Sequence, residues 1–393
     1  VQTPVLAAIS RRYRERENHI SSDSWPIYIS LQKDGILFKM RRTQDLPDKE
    51  SATMFFQDCK LAHQAQITGI SHSVKEILPP DLLDLTQLQK EANIRYGFTA
   101  SEVYNIAQSL YEKKLISYPR TSSRYLTEDV FDSLSPIMAR LLSWELFPAT
   151  KGTGGIDISG LSRHVISAEK ANVHHAIIIT GIRPGNLSEK EMQVYRLVAG
   201  RMLETFMAPC RIETTNVEAV CAAQHFKAEQ TRIIEAGWHD VFMRSDMVPK
   251  SGYSVNELPE VEKSDTLNVC GCNMVHKKQL PVNPFTDAEL VEYMEQNGLG
   301  TVSSRTNIIR TLVNRKYIRY SGKYIVPTPK GMFTYETIRG KKIADTSLTA
   351  DWEKQLAGLE SGMITGQDFL NRIRTLAKEM TDDIFNTYST KEE

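Results

Sequence analysis

The feature that most restricts the fold of this chain is a strand-like pattern on both sides of a long helical block. Residues 25–42 are rich in strand-forming side chains around Asp34-Gly35, a dipeptide typical of a hairpin turn. Strand-like alternation returns in residues 211–274, whereas residues 85–208 contain runs with helical periodicity. The pattern predicts an α+β protein in which a helical domain, 85–208, is inserted into an antiparallel β domain built from 21–84 and 209–280.

Length and composition agree with several folded domains. The chain has 393 residues, which is more than one hydrophobic core usually supports. Its 41% hydrophobic and 24% charged residues are typical of a globular protein and argue against a disordered or fibrous class. No apolar run reaches about 18 residues and no signal-peptide pattern is present, so we expect no membrane partner.

The five cysteines are an odd number in a long chain, which indicates reduced thiols and a cytoplasmic location. Two of them, Cys270 and Cys272, are separated by a single residue. The sequence offers no second cysteine pair and no spaced histidine pair that could complete a tetrahedral zinc site with them. We interpret both as small hydrophobic core residues, with a metal or redox motif as the alternative.

Charge is distributed unevenly along the chain. The formal net charge is zero, from 48 basic and 48 acidic side chains, and taken alone this argues against a nucleic-acid partner. Residues 299–342, however, contain ten Lys or Arg and one acidic residue, a local net charge of +9. A segment this basic favours binding to a phosphate backbone.

The basic segment lies in a region with the outline of a winged helix. Thr286 and Glu289 form a capping box for one helix, and a second helix is predicted to bury its apolar side chains while Arg305 and Arg310 face outward. Residues 317–326 then have the pattern of a hairpin. This order predicts a winged-helix-like domain over 281–393 that binds DNA. A winged helix that only contacts protein is the alternative.

Two further helix starts are marked in the sequence. Thr99 and Glu102 form a capping box, which begins the helix that leads to Tyr118. At the other start, Thr3 is the predicted N-cap and Pro4 the first helical residue. The glycine-rich residues 151–155 lack the Gly-Lys-Ser/Thr ending of a phosphate loop, so we expect an ordinary loop there.

Tyr118, Pro119 and Arg120 follow the first of these helices. A phenol has a pKa of about 10 and is a weak nucleophile, and a fixed guanidinium nearby could stabilise the charge that develops on an attacked phosphate. Pro119 disfavours helical geometry at Tyr118, which helps its side chain to point into a cleft. A packed tyrosine beside a solvated arginine is the ordinary alternative.

His174 and His175 are adjacent and precede an apolar run. Neighbouring side chains point to opposite sides of a strand or diverge by about 100° on a helix, so the two would not easily bind one metal ion together. One histidine acting alone is the better functional interpretation, and a packed core histidine is the alternative.

Tyr118-Pro-Arg-Thr, together with residues 110–117, resembles the active-site tyrosine motif of type IA DNA topoisomerases, nearest to the bacterial topoisomerase III branch. Further segments match that family in the same order and cover almost the whole chain. They are residues 1–6, 85–92, 174–178, 237–238, 298–305, 317–318 and 327–331.

The resemblance implies a toroidal enzyme that cleaves single-stranded DNA through a transient 5′-phosphotyrosyl link, passes a strand and reseals the break, in relaxation or decatenation. It implies a β gate domain II (21–84 and 209–280), a helical domain III with the tyrosine (85–208), and a helical DNA-binding domain IV (1–20 and the winged-helix-like 281–393). By position, Tyr118 is the nucleophile, Arg120 the transition-state cation and His174 the proton relay. The implied DNA contacts are Gln2, Thr121, Ser122, Thr301, Arg305 and Lys330.

Three positions depart from the family pattern. Ser122 stands where many members have Asp, and this removes an anion beside the nucleophile, so no carboxylate role can be transferred there. Ile179 and Val302 stand where many members have Pro, which suggests local backbone changes.

Relatives carry a Toprim domain whose Asp-x-Asp-x-Glu cluster binds Mg2+, and the sequence has no such cluster. In the family order that domain precedes Val1, so the resemblance implies a fragment that holds no metal ion and is inactive alone. For the full enzyme it implies Mg2+ and single-stranded DNA, with a helicase as a further expected partner. We expect a monomer in the bacterial cytoplasm, associated with the nucleoid.

Two other classes of DNA-binding protein share part of this pattern. Tyrosine recombinases and type IB topoisomerases also use Tyr, Arg and His, but their tyrosine follows the other motifs, whereas Tyr118 precedes His174. A non-catalytic winged-helix DNA-binding module remains as the alternative. It would explain residues 283–342 but not the Tyr118 segment.

Overall fold

A computed structural model describes residues 1–144, 146–147, 161–171, 174–242, 250–360 and 362–389. The glycine-rich residues 151–155 lie outside this part of the chain. Helices and sheets are both extensive, which confirms the α+β class. No helix within the described residues is long and apolar enough to cross a membrane.

Six strands form a closed barrel in which each strand is antiparallel to both neighbours. In barrel order they are β2 (Ile27–Lys33), β3 (Ile36–Arg42), β6 (Gln224–Glu235), β5 (Cys210–Cys221), β4 (Gln64–Ile77) and β7 (Thr266–Met274). Asp34 and Gly35 both have positive φ, which confirms the predicted hairpin turn. Helix α2 (Lys49–Leu61) contacts β7 and β2, and buried apolar side chains fill the interior. The antiparallel prediction is confirmed, but the sequence did not reveal that the sheet closes.

The helical block lies between β4 and β5, which are neighbours in the barrel. Its helices are α3 (Leu85–Tyr96), α4 (Ala100–Glu112), α5 (Glu128–Asp132), α6 (Leu134–Ser143), α7 (Ala168–Ala171) and α8 (Glu189–Phe206). The predicted capping box of Thr99 and Glu102 is confirmed at the start of α4. A second box, Ser188 with Glu191, starts α8. One continuous apolar core holds these helices together and supports the loop that carries Tyr118.

A short 3₁₀ helix, Gly237–Val241, lies where the barrel meets the helical block. Trp238 is buried there and donates from Nε1 to the carbonyl of Ile77 at 2.9 Å. Gly237 has a φ of +52°, and a Cβ at this position would lie 2.3 Å from the carbonyl oxygen of Pro209. Only glycine fits so close to that backbone.

The first helix shares a third core with part of the C-terminal region. The first helix, α1 (Gln2–Glu17), buries Val5, Leu6 and Ile9 against the C-terminal region. That region contains β9 (Phe285–Thr286), α9 (Asp287–Gln296), α10 (Val302–Asn314), β10 (Ile318–Ser321), β11 (Tyr324–Pro327), α11 (Pro329–Ile338), α12 (Thr346–Glu360) and α13 (Gly366–Ser389). Strands β10, β11 and β9 form a small sheet, and a two-stranded pair joins β1 (Asp23–Ser24) to β8 (Lys277–Lys278).

The helix starts predicted at Thr286 and at Thr3 had different outcomes. The capping box of Thr286 and Glu289 is confirmed at the start of α9. The prediction that Thr3 is an N-cap is wrong, because α1 already begins at Gln2. Thr3 therefore has helical geometry, and an N-cap residue must not have it.

Candidate active site

Tyr118 lies in an extended segment that is held from two sides by backbone hydrogen bonds. After α4 the chain turns at Lys114, whose φ is +61°, and Ile116 then pairs with Ile179 in an isolated antiparallel bridge. On one side Ser117 N donates to the carbonyl of Ile178 at 2.8 Å. On the other side Leu85 N, at the start of α3, donates to the carbonyl of Thr121 at 3.1 Å. Segment 115–121 is therefore fixed between residues 176–180 and α3.

The structure brings Tyr118 and His174 together although 56 positions separate them in sequence. Their ring centroids are 4.4 Å apart, with an angle of 42° between the planes. Tyr111 also contacts the ring of Tyr118, edge-on, with centroids 5.4 Å apart and 80° between the planes. Tyr118 is half-buried and His174 is exposed, so solvent and ligands can reach the pair. His175 instead bonds locally, from Nδ1 to the carbonyl of Ala176 at 2.7 Å.

Arg120 leans on helix α4 rather than into solvent. Its Nη2 donates to Oε1 of Gln108 at 3.3 Å, and its guanidinium lies 5.1 Å above the ring of Tyr104. Its Nε is buried and has no hydrogen-bond partner. A guanidinium held at two points and with an unused N–H is suited to bind a phosphate oxygen.

Thr121 and Ser122, predicted to line a DNA path, have different environments. Thr121 is buried, donates from Oγ1 to the carbonyl of His174 at 2.9 Å, and accepts from Ser123 N at 3.0 Å. Its hydroxyl thus satisfies nearby backbone groups of the loop, and the predicted contact with DNA stays a prediction. Thr121 holds the backbone of His174 in place. Ser122 is exposed.

An ion pair next to this loop was not predicted from the sequence. Asp84 caps α3 through Gln87 N at 2.7 Å, and its other carboxylate oxygen accepts from Nε of Arg124 at 2.7 Å. Burial raises the pKa of Asp84 above its ordinary value, and the bonds from Gln87 and Arg124 oppose this shift. An aspartate directly before the apolar pattern of α3 is a helix-start signal that could have identified Asp84.

Gln2 and Lys330, two of the predicted DNA-binding residues, converge on Arg315 near the start of α1. Arg315 Nη1 donates to Oε1 of Gln2 at 3.3 Å, and Lys330 Nζ donates to the carbonyl of Arg315 at 3.0 Å. The ammonium of Lys330 also lies 4.2 Å above the ring of Tyr317. These contacts place an amide and two cations on one exposed surface. Thr301 is exposed at the start of α10, where it forms a capping box with Ser304.

Arg305 does not face outward as predicted. Its side chain is only 9% exposed, and Nη1 bonds Oε1 of Glu295 and Oγ1 of Thr86, each at 3.1 Å. Helical periodicity explains the difference, because position 305 shares a face with the buried Ile308, Ile309 and Leu312. The guanidinium of Arg305 is therefore occupied by Glu295 and Thr86 and does not face solvent.

Among the residues that the structure describes, no group of three or more His, Cys, Asp or Glu side chains is arranged to hold a metal ion.

Comparisons with known proteins agree with the motifs. A family model described as DNA topoisomerase matches residues 1–371. DNA topoisomerase 3 of Bacillus licheniformis is 30% identical over 409 residues, which cover 98% of this chain and 56% of the relative. DNA topoisomerase 1 of Methanocaldococcus jannaschii is 29% identical over 396 residues, which cover 100% of this chain and 50% of that protein. The chain thus spans about half the length of the curated relatives it matches.

A solved structure resembles the fold of this chain. Full-length topoisomerase I from Thermotoga maritima superposes with a TM-score of 0.74 and 22% identity over 96% of this chain and 62% of the solved one. The similarity extends across the barrel, the helical block and the C-terminal region.

Proposed function

Since this chain belongs to the DNA topoisomerase family, in its type IA, topoisomerase III branch, we propose that it is the strand-cleaving part of an ATP-independent enzyme that changes DNA topology. The enzyme would cleave single-stranded DNA, pass another strand through the break and reseal it. The observation that carries the proposal is the contact between Tyr118 and His174, a pair that solvent can reach. Arg120 lies two residues after Tyr118 in the same segment.

The chemistry follows from these three side chains. The phenol of Tyr118 gives its proton to water as its oxygen attacks a backbone phosphorus, a P–O bond to tyrosine forms, and the bond to the 3′ oxygen breaks. Arg120 stabilises the charge on the phosphate oxygens, and His174 delivers a proton to the leaving 3′ oxygen. The 5′-phosphotyrosyl link conserves the phosphodiester energy, so the 3′ hydroxyl can reverse the step without ATP.

We propose that the DNA strand is also held at a second surface, on the C-terminal region. The sugar-phosphate backbone would be contacted there by Lys330 and Gln2, which both bond Arg315, and by the exposed Thr301. Ser122 would contact the strand near Tyr118. In this proposal residues 281–393 form a winged-helix-like domain that, with 1–20, belongs to the DNA-binding domain IV. Residues 85–208 form the tyrosine-bearing domain III, and 21–84 with 209–280 form the gate domain II.

We further propose which metal ion and which partner the enzyme needs. Mg2+ would be bound by a Toprim domain outside the described residues, and without that domain the chain would bind DNA but not cleave it. We propose that the enzyme acts as a monomer in the bacterial cytoplasm on nucleoid DNA, with a helicase as partner.

The test is a relaxation and decatenation assay of this chain joined to the Toprim domain that is proposed to bind Mg2+. Tyr118→Phe keeps the ring contacts and removes the nucleophilic oxygen, so all strand passage should stop. Tyr111→Phe is the matched control, because it removes a hydroxyl from the adjacent ring and should retain activity. Activity that survives Tyr118→Phe would refute the proposal. DNA binding without activity in the wild-type protein would favour a non-catalytic binding module.

A further inference from the structure

A β-bulge in β7 turns Cys270 and Cys272 to different faces of the strand. Residues two apart on a regular strand share a face, but here Leu31 pairs with Val269 and Ser30 with Gly271, so the register skips Cys270. Cys272 then pairs with the fully buried Ile29 and lies on the interior face of the barrel. Cys270 is exposed on the outside, and Cys272 is half-buried.

Inside the barrel Cys272 meets two other thiols. Cys59, on α2, is fully buried in the same interior cluster as Cys221, the last residue of β5, and Cys272 packs against that cluster. The sulfur of Cys272 also lies 4.0 Å from the carbonyl oxygen of Phe56, one turn before Cys59 on α2. Three of the five cysteines of the chain therefore form one cluster, although their positions in sequence are far apart.

The thiols of the cluster are not equivalent. The interaction with Cys59 lowers the pKa of Cys272 below its ordinary value, although burial opposes this shift. The backbone N–H of Asn273 and the charge of Lys60 also lower the pKa of Cys272. For Cys59, the interaction with Cys221 lowers the pKa, but Cys272 and burial outweigh it and raise the pKa to about 11. The interaction with Cys59, together with burial, also raises the pKa of Cys221. Within this cluster, the thiol that forms a thiolate most easily thus belongs to Cys272, the one cysteine of the three that is only half-buried.

We propose that Cys272 and Cys59 form a peroxide-reactive thiol pair. The Cys272 thiolate attacks hydrogen peroxide, the O–O bond breaks, hydroxide leaves, and Cys272 becomes a sulfenic acid. Cys59 then gives up its proton and attacks the Cys272 sulfur, the S–S bond forms, and the S–O bond breaks with loss of water. Overall, two thiols and one peroxide give one disulfide and two water molecules.

The disulfide would join α2 to β7 and leave Cys221 as a buried free thiol. Because α2 and the barrel strands are not covalently linked in the reduced protein, the new bond fixes that helix to β7. The pair is independent of the proposed strand-cleaving function, since it contains none of the residues near Tyr118.

The experiment treats the wild-type chain with hydrogen peroxide, blocks the remaining thiols with iodoacetamide and identifies cysteine peptides by mass spectrometry. Cys270, two residues away and more exposed, is the internal control. We expect Cys272 to react about tenfold faster than Cys270 or more, and to appear in a peptide linked to Cys59 with two hydrogens lost. Equal or faster oxidation of Cys270, or a linkage that omits Cys59, would overturn the proposal.

Three variants separate the steps. Cys270→Ser should form the same linked peptide at the same rate, and Cys272→Ser should leave Cys59 reduced. Cys59→Ser should stop the reaction at the sulfenic acid, which dimedone traps on Cys272. Loss of the Cys59 thiol at the wild-type rate in Cys272→Ser would contradict the assigned order. If Cys59→Ser fails to fold, the comparison of Cys272 with Cys270 in the wild-type chain still decides the question.

Discussion

At the scale of single residues, the position of Tyr118 depends on hydrogen bonds that its neighbours make. The hydroxyl of Ser117 donates to the carbonyl of Ala176 and accepts from Ile178 N, both at 3.0 Å. Thr121 makes a similar bond to the backbone of His174. These two hydroxyls fix the distance between the tyrosine segment and the histidine segment, so they act as positioning residues.

Ser117→Ala should reduce strand cleavage while single-stranded DNA affinity stays unchanged. The variant leaves Ile178 N and the Ala176 carbonyl without their partner, and losing such bonds costs about 1–3 kcal/mol. Adduct formation at saturating DNA, measured beside binding affinity, checks this. Ser143→Ala, which removes an exposed hydroxyl at the end of α6, is the control. A loss of affinity with unchanged cleavage would contradict the positioning role.

Asp287 provides a pH-dependent prediction. Burial raises its pKa to about 6, although Tyr320 and Ala100 N hydrogen-bond to it. Because the folded pKa lies above the unfolded one, its contribution to stability is complete at low pH and is lost as the pH rises through about 6. Asp287→Asn cannot ionise, so its stability relative to wild type should increase by about 2 kcal/mol between about pH 4 and pH 7.

Urea unfolding of wild type and Asp287→Asn across this pH range measures the difference. The exposed Asp58→Asn is the control and should follow the wild-type pH profile. A stability difference between Asp287→Asn and wild type that is independent of pH would show that Asp287 does not titrate in this way.

At the scale of elements, local signals in the sequence predicted local structure well. The capping boxes at Thr99 and Thr286 and the Asp34-Gly35 turn involve residues at most three positions apart, so their physics can be read from the sequence. Helical periodicity also indicates that Arg305 faces inward with Ile308 and Leu312, so the prediction that it faces outward was wrong for a reason visible in the sequence. Closure of the barrel depends on the pairing of β7 with β2 and β4, and the sequence contains no local signal for such distant partners.

Gly331 tests how closely α11 packs on Tyr317, the residue directly before β10. A Cβ at this position would lie 2.0 Å from the carbonyl oxygen of Tyr317, which is backbone and cannot move alone. Gly331→Ala should therefore lower the free energy of unfolding by about 2 kcal/mol or more. Gly185→Ala, at an exposed position with open space around it, should change stability little. Equal unfolding midpoints for the two variants would contradict the close approach.

At the scale of the whole molecule, the start of α3 connects the tyrosine loop to the C-terminal region. Leu85 N bonds the carbonyl of Thr121, and the next residue, Thr86, donates from Oγ1 to Glu295 at 3.0 Å. Arg305 completes this contact from α10. The approach of Tyr118 to His174 is likewise a long-range result, and only the family resemblance, not residue spacing, had placed both residues in one site.

Arg305→Ala should destabilise the protein by about 3 kcal/mol, because it leaves Glu295 and Thr86 without their buried partner. Thermal unfolding measures this. Arg310→Ala is the matched control on the same helix, since Arg310 is exposed and bonds only Asn307 among the described contacts. If both variants lose the same stability, the buried contact of Arg305 does not hold these elements together.

The central claim is that Tyr118 forms a covalent bond to a 5′ phosphate of single-stranded DNA. The most direct measurement mixes the chain and the magnesium-binding part with oligonucleotides labelled at either end, denatures the mixture and maps the modified peptide. We predict an adduct that carries the 3′ label, lies on Tyr118 and is absent in Tyr118→Phe. An adduct that carries the 5′ label, or one on another residue, would contradict the account.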